Sequence, residues 1–150
     1  MDHRDSVQIA ASPEAVFDLA SDLPGMGRFS PENRGGEWLG GARAPTVGAR
    51  FRGANAQGRL RWRTTATVTE YDPPRRFAFK VRFLGAPIST WTYDVAGAGE
   101  TCELTESWRD ERGWLTRTLT RTVPDRRAYT ETSVRQTLEA MRDHLEGRGR

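Results

Sequence analysis

In the stretch from Asp125 to Glu146, apolar residues fall at Val134, Leu138, Met141 and Leu145, at i, i+4, i+7 and i+11, with charges between them. That spacing predicts an amphipathic helix lying on something. Pro124 and Asp125 suit its first turn and Gly147 its end; at 1.5 Å per residue it spans roughly 33 Å, the width of a small domain. A period of two governs most of what precedes it, from residue 37 to 109, so the simplest architecture is one long helix against one curved antiparallel sheet.

Read in order, Val7 and Ile9 alternate with polar neighbours as in a short strand. A helix follows, capped by Ser12, with Pro13 in its first turn, Glu14 at its positive end and Val16, Phe17, Ala20 and Leu23 on its buried face. Met26 to Phe29 allows one further turn. Residues 30–36 read as loop, and Glu37-Trp38-Leu39 as a brief strand. Parity then places Phe51, Gly53 and Asn55 on one face; Leu60, Trp62, Thr64, Ala66 and Val68 continue it after a turn at Gln57-Gly58. Phe77, Phe79, Val81 and Phe83, then Trp91, Tyr93 and Val95, then Cys102, Leu104, Glu106 and Trp108 complete that inner face. Residues 111–123 read as helix, on Leu115 and Leu119, with a bend at Pro124.

The inner face carries more aromatic side chains than one small core ordinarily needs, which leaves two readings: a packed aromatic core, or a pocket lined by aromatics with a few polar groups. The inward polar residues Asn55, Thr64, Tyr93 and Glu106 sharpen the choice. A carboxylate beside Leu104 and Trp108 must be paired, protonated or wet, since burying it alone costs several kcal/mol. Glu106 is thus a candidate general base or ligand-orienting group, with Tyr93 and Asn55 beside it as candidate catalytic residues. Glu32, in its loop, is placed at the mouth of such a pocket. The opposite face carries Arg50, Arg52, Arg61, Arg63, Lys80 and Arg82, a basic surface for an acidic partner or a plain solvated face.

The 150 residues, with a net charge of +3, fit one domain, 1–150, with 146–150 as a loose tail. The charge is too small to require nucleic acid, and the aromatics lie on the face opposite the arginines, so neither nucleic acid nor a membrane is expected as partner. The start, MDHRDSV, has no apolar run, and the only cysteine is Cys102; a cytoplasmic protein is the expectation. His3 and His144 with Cys102 supply too few ligands for a His/Cys metal site, so neither metal nor cofactor is expected. No G-x-S-x-G elbow, phosphate loop or dinucleotide fingerprint occurs.

The element order, with the segments Ala11-Ser12-Pro13-Glu14-Ala15-Val16-Phe17, Ser30-Pro31-Glu32, Gly35-Gly36-Glu37-Trp38, Val47-Gly48-Ala49-Arg50-Phe51, Gly53-x-Asn55, Thr67-Val68-Thr69-Glu70, Phe77-Ala78-Phe79, Trp91-x-Tyr93 and Leu104-Thr105-Glu106, resembles the START-like helix-grip superfamily, and within it the actinobacterial polyketide cyclase/dehydrase type. The resemblance implies an α+β helix-grip fold: a seven-stranded curved antiparallel sheet wrapped around a long C-terminal helix, with two short helices between strands 1 and 2. The first strand would adjoin both the second and the last. It also implies a hydrophobic, aromatic or polyketide-like ligand held between sheet and helix, with Glu32, Trp38, Phe51, Asn55, Trp62, Thr64, Phe79, Trp91, Tyr93, Glu106, Trp108, Val134, Leu138 and Met141 as its contacts. Three functions follow as expectations: a cofactor-independent polyketide cyclase or dehydrase, served by an acyl carrier protein; a non-catalytic carrier or sequestering resistance protein; or an interaction module using the basic face.

Overall fold

The computed structural model describes residues 2–119 and 126–147. Seven strands, β1 (Asp2–Ile9), β2 (Asn33–Trp38), β3 (Arg50–Gln57), β4 (Leu60–Asp72), β5 (Arg76–Phe83), β6 (Ala86–Ala98) and β7 (Thr101–Asp110), form one antiparallel sheet in the order β1-β7-β6-β5-β4-β3-β2. Among the described residues the helices are α1 (Pro13–Ala20), α2 (Trp114–Leu119) and α3 (Arg126–Leu145), with a 3₁₀ turn at Met26–Arg28. This is the helix-grip arrangement, with α3 laid across the concave face. No helix among the described residues is long and apolar enough to cross a membrane.

The local rules hold at α1. Ser12 caps it by accepting from the Ala15 N–H at 3.2 Å, and Pro13 occupies its first turn, where a missing N–H costs nothing. Three expectations need correction. The loop read at residues 30–36 ends early, because Asn33 to Gly36 already belong to β2. Gly36 serves packing there: it pairs with Gly53, and a Cβ on Gly36 would lie 2.9 Å from the Gly53 Cα and collide with the Arg52 carbonyl. Second, β1 pairs with β7 and not with β2, so the sheet stays open between its two edges. Third, a bulge between Val68 and Glu70 shifts the register of β4. Beyond it parity reverses, and Tyr71 turns to Phe17 and Phe77, with ring centroids 5.6 and 6.5 Å away.

Of residues 111–123, Trp114–Leu119 form helix; 120–123, the expected bend at Pro124, the first-turn residue Asp125 and the tail at 148–150 lie outside the described residues. The sheet grips α3 at its edge through Arg135, whose guanidinium donates to both Asp5 carboxylate oxygens, at 2.8 Å through Nε, and to the Ser6 carbonyl at 3.0 Å. The core fills only half of the space between sheet and helix. Val16, Phe17 and Ala20 of α1 meet Phe77, Val95 and Leu104 from the sheet and Leu138 and Met141 from the C-terminal half of α3.

Candidate ligand cavity

The other half of that space is a cavity of about 370 Å³, within the range of sites for small organic molecules. The reason lies on α3. Positions 130, 133, 134, 137, 138, 141 and 145 form one continuous stripe, but its first half is Thr130, Ser133, Val134 and Thr137, all small, and its second half carries Leu138 and Met141. Small side chains cannot reach the sheet, so a gap is left opposite the aromatic strands.

The sheet wall is aromatic. Phe79, Trp91 and Trp108 are successive cross-strand partners on β5, β6 and β7, with the two indoles 6.5 Å apart. Phe51 and Trp62 extend the wall across β3 and β4, and the Trp91 indole N–H donates to the buried Ser89 hydroxyl at 3.1 Å. Leu60 is in the lining and half exposed, while Leu84 and Trp114, both largely exposed, stand within two residues of the lining residues Phe83 and Thr116. Leu60 thus gives the mouth an apolar edge.

Deep in the cavity, Tyr93 and Glu106 face one another as a direct cross-strand pair of β6 and β7. Both are only 3% exposed. The Tyr93 hydroxyl donates to Glu106 Oε2 at 2.7 Å, and Glu106 Oε1 is buried without a hydrogen-bond partner. Burial pushes the Glu106 pKa up to about 8, against the lowering effect of the Tyr93 bond, and the nearby Asp5 carboxylate adds to the rise. At neutral pH Glu106 is therefore mostly protonated, and its unpartnered oxygen is a buried hydrogen-bond donor in the cavity wall. Burial, reinforced by Glu106, also holds the Tyr93 pKa well above its ordinary value, so the phenol keeps its proton. Asp5→Asn removes a negative charge near Glu106 and leaves the Arg135 cation; the Glu106 pKa should fall below 8, read by carbon NMR titration of the carboxyl. An unchanged titration would show that the Asp5 charge contributes nothing to it.

Of the expected contacts, Glu32, Phe51, Asn55, Trp62, Thr64, Phe79, Trp91, Tyr93, Glu106, Trp108 and Val134 line the cavity. Trp38, Leu138 and Met141 do not. Trp38 packs edge-on against Phe51, with ring centroids 5.3 Å apart, and Leu138 and Met141 are fully buried in the filled half of the core. The expected catalytic set also divides: Asn55 lies on β3, with three strands between it and Glu106 on β7, and its amide donates to Thr64 Oγ1 at 3.0 Å.

Parity did not find Arg112, because it lies past the last strand. It lines the cavity beside Thr116 and is anchored by Asp110, whose buried carboxylate accepts from its Nε at 3.0 Å and its terminal nitrogen at 2.8 Å. Leu23, Met26 and Ser30, from the α1–β2 connection, and Asn33, at the start of β2, were also missed, since no period places a connecting segment over a sheet. Ser133 and Thr137 could have been found from their helical spacing alone. Among the described residues no cluster of three or more His, Cys, Asp or Glu could hold a metal ion.

The outer face keeps its basic row. Arg52 and Arg82 flank Thr65, Arg50 and Lys80 flank Thr67, and Arg61 and Arg63 stand exposed on β4. Arg52 is paired with Glu37.

The family model described as polyketide cyclase / dehydrase and lipid transport matches residues 2–146. Among solved structures, the Polyketide_cyc-like protein Cgl2372 from Corynebacterium glutamicum is 30% identical, with 97% of this chain and 91% of that one covered and a TM-score of 0.67. TTHA0849 from Thermus thermophilus has the same fold, at 20% identity, 98% coverage of both chains and a TM-score of 0.73. So does the di-domain ARO/CYC StfQ from the steffimycin biosynthetic pathway, at 14% identity and a TM-score of 0.68, with 96% of this chain but 44% of that one covered. No curated protein matches this sequence.

Proposed function

The chain belongs to the polyketide cyclase/dehydrase and lipid-transport family, a ligand-binding START-like group, and from that premise we propose that it takes an aromatic or polyketide-like molecule into its cavity and acts on it as a cofactor-independent cyclase or dehydrase. The observation that carries the reading is the Glu106 carboxyl, buried in the cavity wall with one oxygen held by Tyr93 and the other without a partner; that burial pushes its pKa up to about 8 and keeps it protonated at neutral pH. Such a group is a general acid near its best pKa. On a β-hydroxy ketone it would protonate the departing hydroxyl, which leaves as water. The Cα–H bonding pair becomes the new double bond, and the carboxylate collects that proton, so the enzyme ends as it began. The aromatic wall would hold a reactive chain in few conformations, which shortens the path to ring closure. The basic outer row suits an acyl carrier protein, an acidic partner able to deliver such a chain.

Titration with aromatic polyketides, fatty acids and sterols, followed through tryptophan fluorescence, should show saturable quenching, because Trp62, Trp91 and Trp108 all line the cavity. Mass spectrometry of each mixture then reads the chemistry. A changed product mass that Glu106→Gln reduces about 10²- to 10⁴-fold, with affinity largely kept, is the expected result. Binding without any product would identify a carrier, and turnover indifferent to Glu106→Gln would remove Glu106 from the reaction.

A further inference from the structure

We infer that Ser133 and Thr137 of α3 are specificity-determining residues that bond oxygen substituents along one edge of a planar aromatic ligand while Glu106 meets another of its oxygens. This rests on the cavity being a ligand site, as proposed above. The cavity has two unlike walls. The sheet side is aromatic, whereas the helix side presents Ser133 and Thr137, one turn apart and at most 9% exposed, with Val134 between them.

Hydroxyls on a helix are commonly satisfied by the carbonyl four residues back, as Thr132 is by Ala128 at 3.1 Å on the exposed side. On the buried face this does not hold throughout: Thr130 Oγ1 is buried without a partner. The second, independent observation is Glu106, 3% exposed and in the lining of the same cavity, whose Oε1 is buried without a hydrogen-bond partner. Polar atoms thus converge on the space from helix and sheet. A pure hydrocarbon filling it would displace their water and leave them unmet, and a hydrogen-bonding site rejects an analogue that lacks the matching oxygen more strongly than an apolar pocket rejects an extra methylene.

Side chains one helical turn apart have Cβ atoms roughly 5–6 Å apart. Oxygens on alternate ring carbons lie a little closer than that, a difference that rotation of the two hydroxyls about χ1 takes up, and unlike a 1,4 pair they sit on one edge, so a 1,3-dioxygenated aromatic suits this wall, its ring stacked against the indoles and its oxygen-bearing edge towards α3. Thr137→Val keeps the shape of the wall and removes one hydroxyl; Thr137→Ser keeps the hydroxyl.

Calorimetric titration with naphthalene and with 1,3-dihydroxynaphthalene tests the inference on a single ring skeleton. The native protein should prefer the dihydroxy compound by about 10- to 100-fold. The Ser133→Ala/Thr137→Val double variant should bring that ratio close to one while leaving naphthalene affinity in place, and Thr137→Ser should retain it. Equal affinity of the native protein for both compounds would overturn the inference and leave the cavity reading standing, whatever the variants do. A preference unchanged in the double variant would assign the discrimination elsewhere and overturn it as well. Binding of neither compound would overturn the cavity reading, and this inference with it.

Discussion

Replacing Glu106 by glutamine removes a pH-dependent loss of stability that the native protein carries between about pH 4.5 and 8. In the unfolded chain the carboxyl titrates near 4.5; in the fold, burial raises it to about 8. Below both values each state holds the proton and Glu106 contributes nothing to the pH dependence. Between them the unfolded state has released the proton and the folded state has not, so stability falls as pH rises, and levels off above 8. The full difference amounts to up to about 5 kcal/mol. Glutamine can still accept from Tyr93 and has no proton to lose. Urea denaturation of both proteins from pH 4 to 9 should give a difference curve that grows through this window and then flattens. Other titrating groups, common to both proteins, largely cancel in it. A difference independent of pH would mean that Glu106 is ionised, and hence solvated, in the folded protein, and the general-acid role would fall with it.

The second large effect is expected at Asp110. Its side chain is fully buried and accepts from the Arg112 backbone N–H and guanidinium, with Arg117 of α2 3.6 Å away. Burial alone would raise its pKa, but the Arg112 hydrogen bonds and the two cations outweigh that and hold it below the usual carboxylate range. Asp110→Ala removes the buried carboxylate to which the Arg112 backbone N–H and guanidinium donate and should cost about 3 kcal/mol. Because the depressed group contributes stability above its unfolded pKa, the native advantage should be complete at pH 6 and shrink as pH falls through the acid range. Since α2 carries Thr116 into the lining, ligand affinity should weaken too. Chemical denaturation at pH 6 and pH 3, with amide exchange over residues 111–119, checks this. A cost under about 1 kcal/mol, as for an exposed ion pair, would show that Asp110 does not hold α2 in place.

Periodicity predicted the sheet almost strand by strand, because one face of it is buried everywhere and a period of two survives wherever that is true. It did not reach Tyr71, where one extra residue in β4 reverses the parity, and it left Gly35-Gly36 as loop, although Gly36 lets two backbones approach closely within β2. Glu106 was legible for the same reason: an acid in register with Leu104 and Trp108 has to point inward. Arg112 was not, since it follows the last strand, where no period applies, and is anchored beside the cavity by Asp110. Trp38, Leu138 and Met141 were misplaced because an inward direction says nothing about whether the space ahead is filled.

By itself the sequence determined which residues face inward, where α1 starts, that a carboxyl would be buried, and that a long helix would cover an aromatic sheet. These are consequences of local geometry and of the penalty for leaving apolar surface wet. Only the tertiary structure decided that the interior is half core and half cavity. That division depends on where along α3 the small residues end and the large ones begin, and on α1 filling one side of the sheet and not the other. It also decided that Tyr93 pairs with Glu106 while Asn55 pairs with Thr64. Cross-strand register and strand order bring side chains together, and neither is encoded in the period of any single strand.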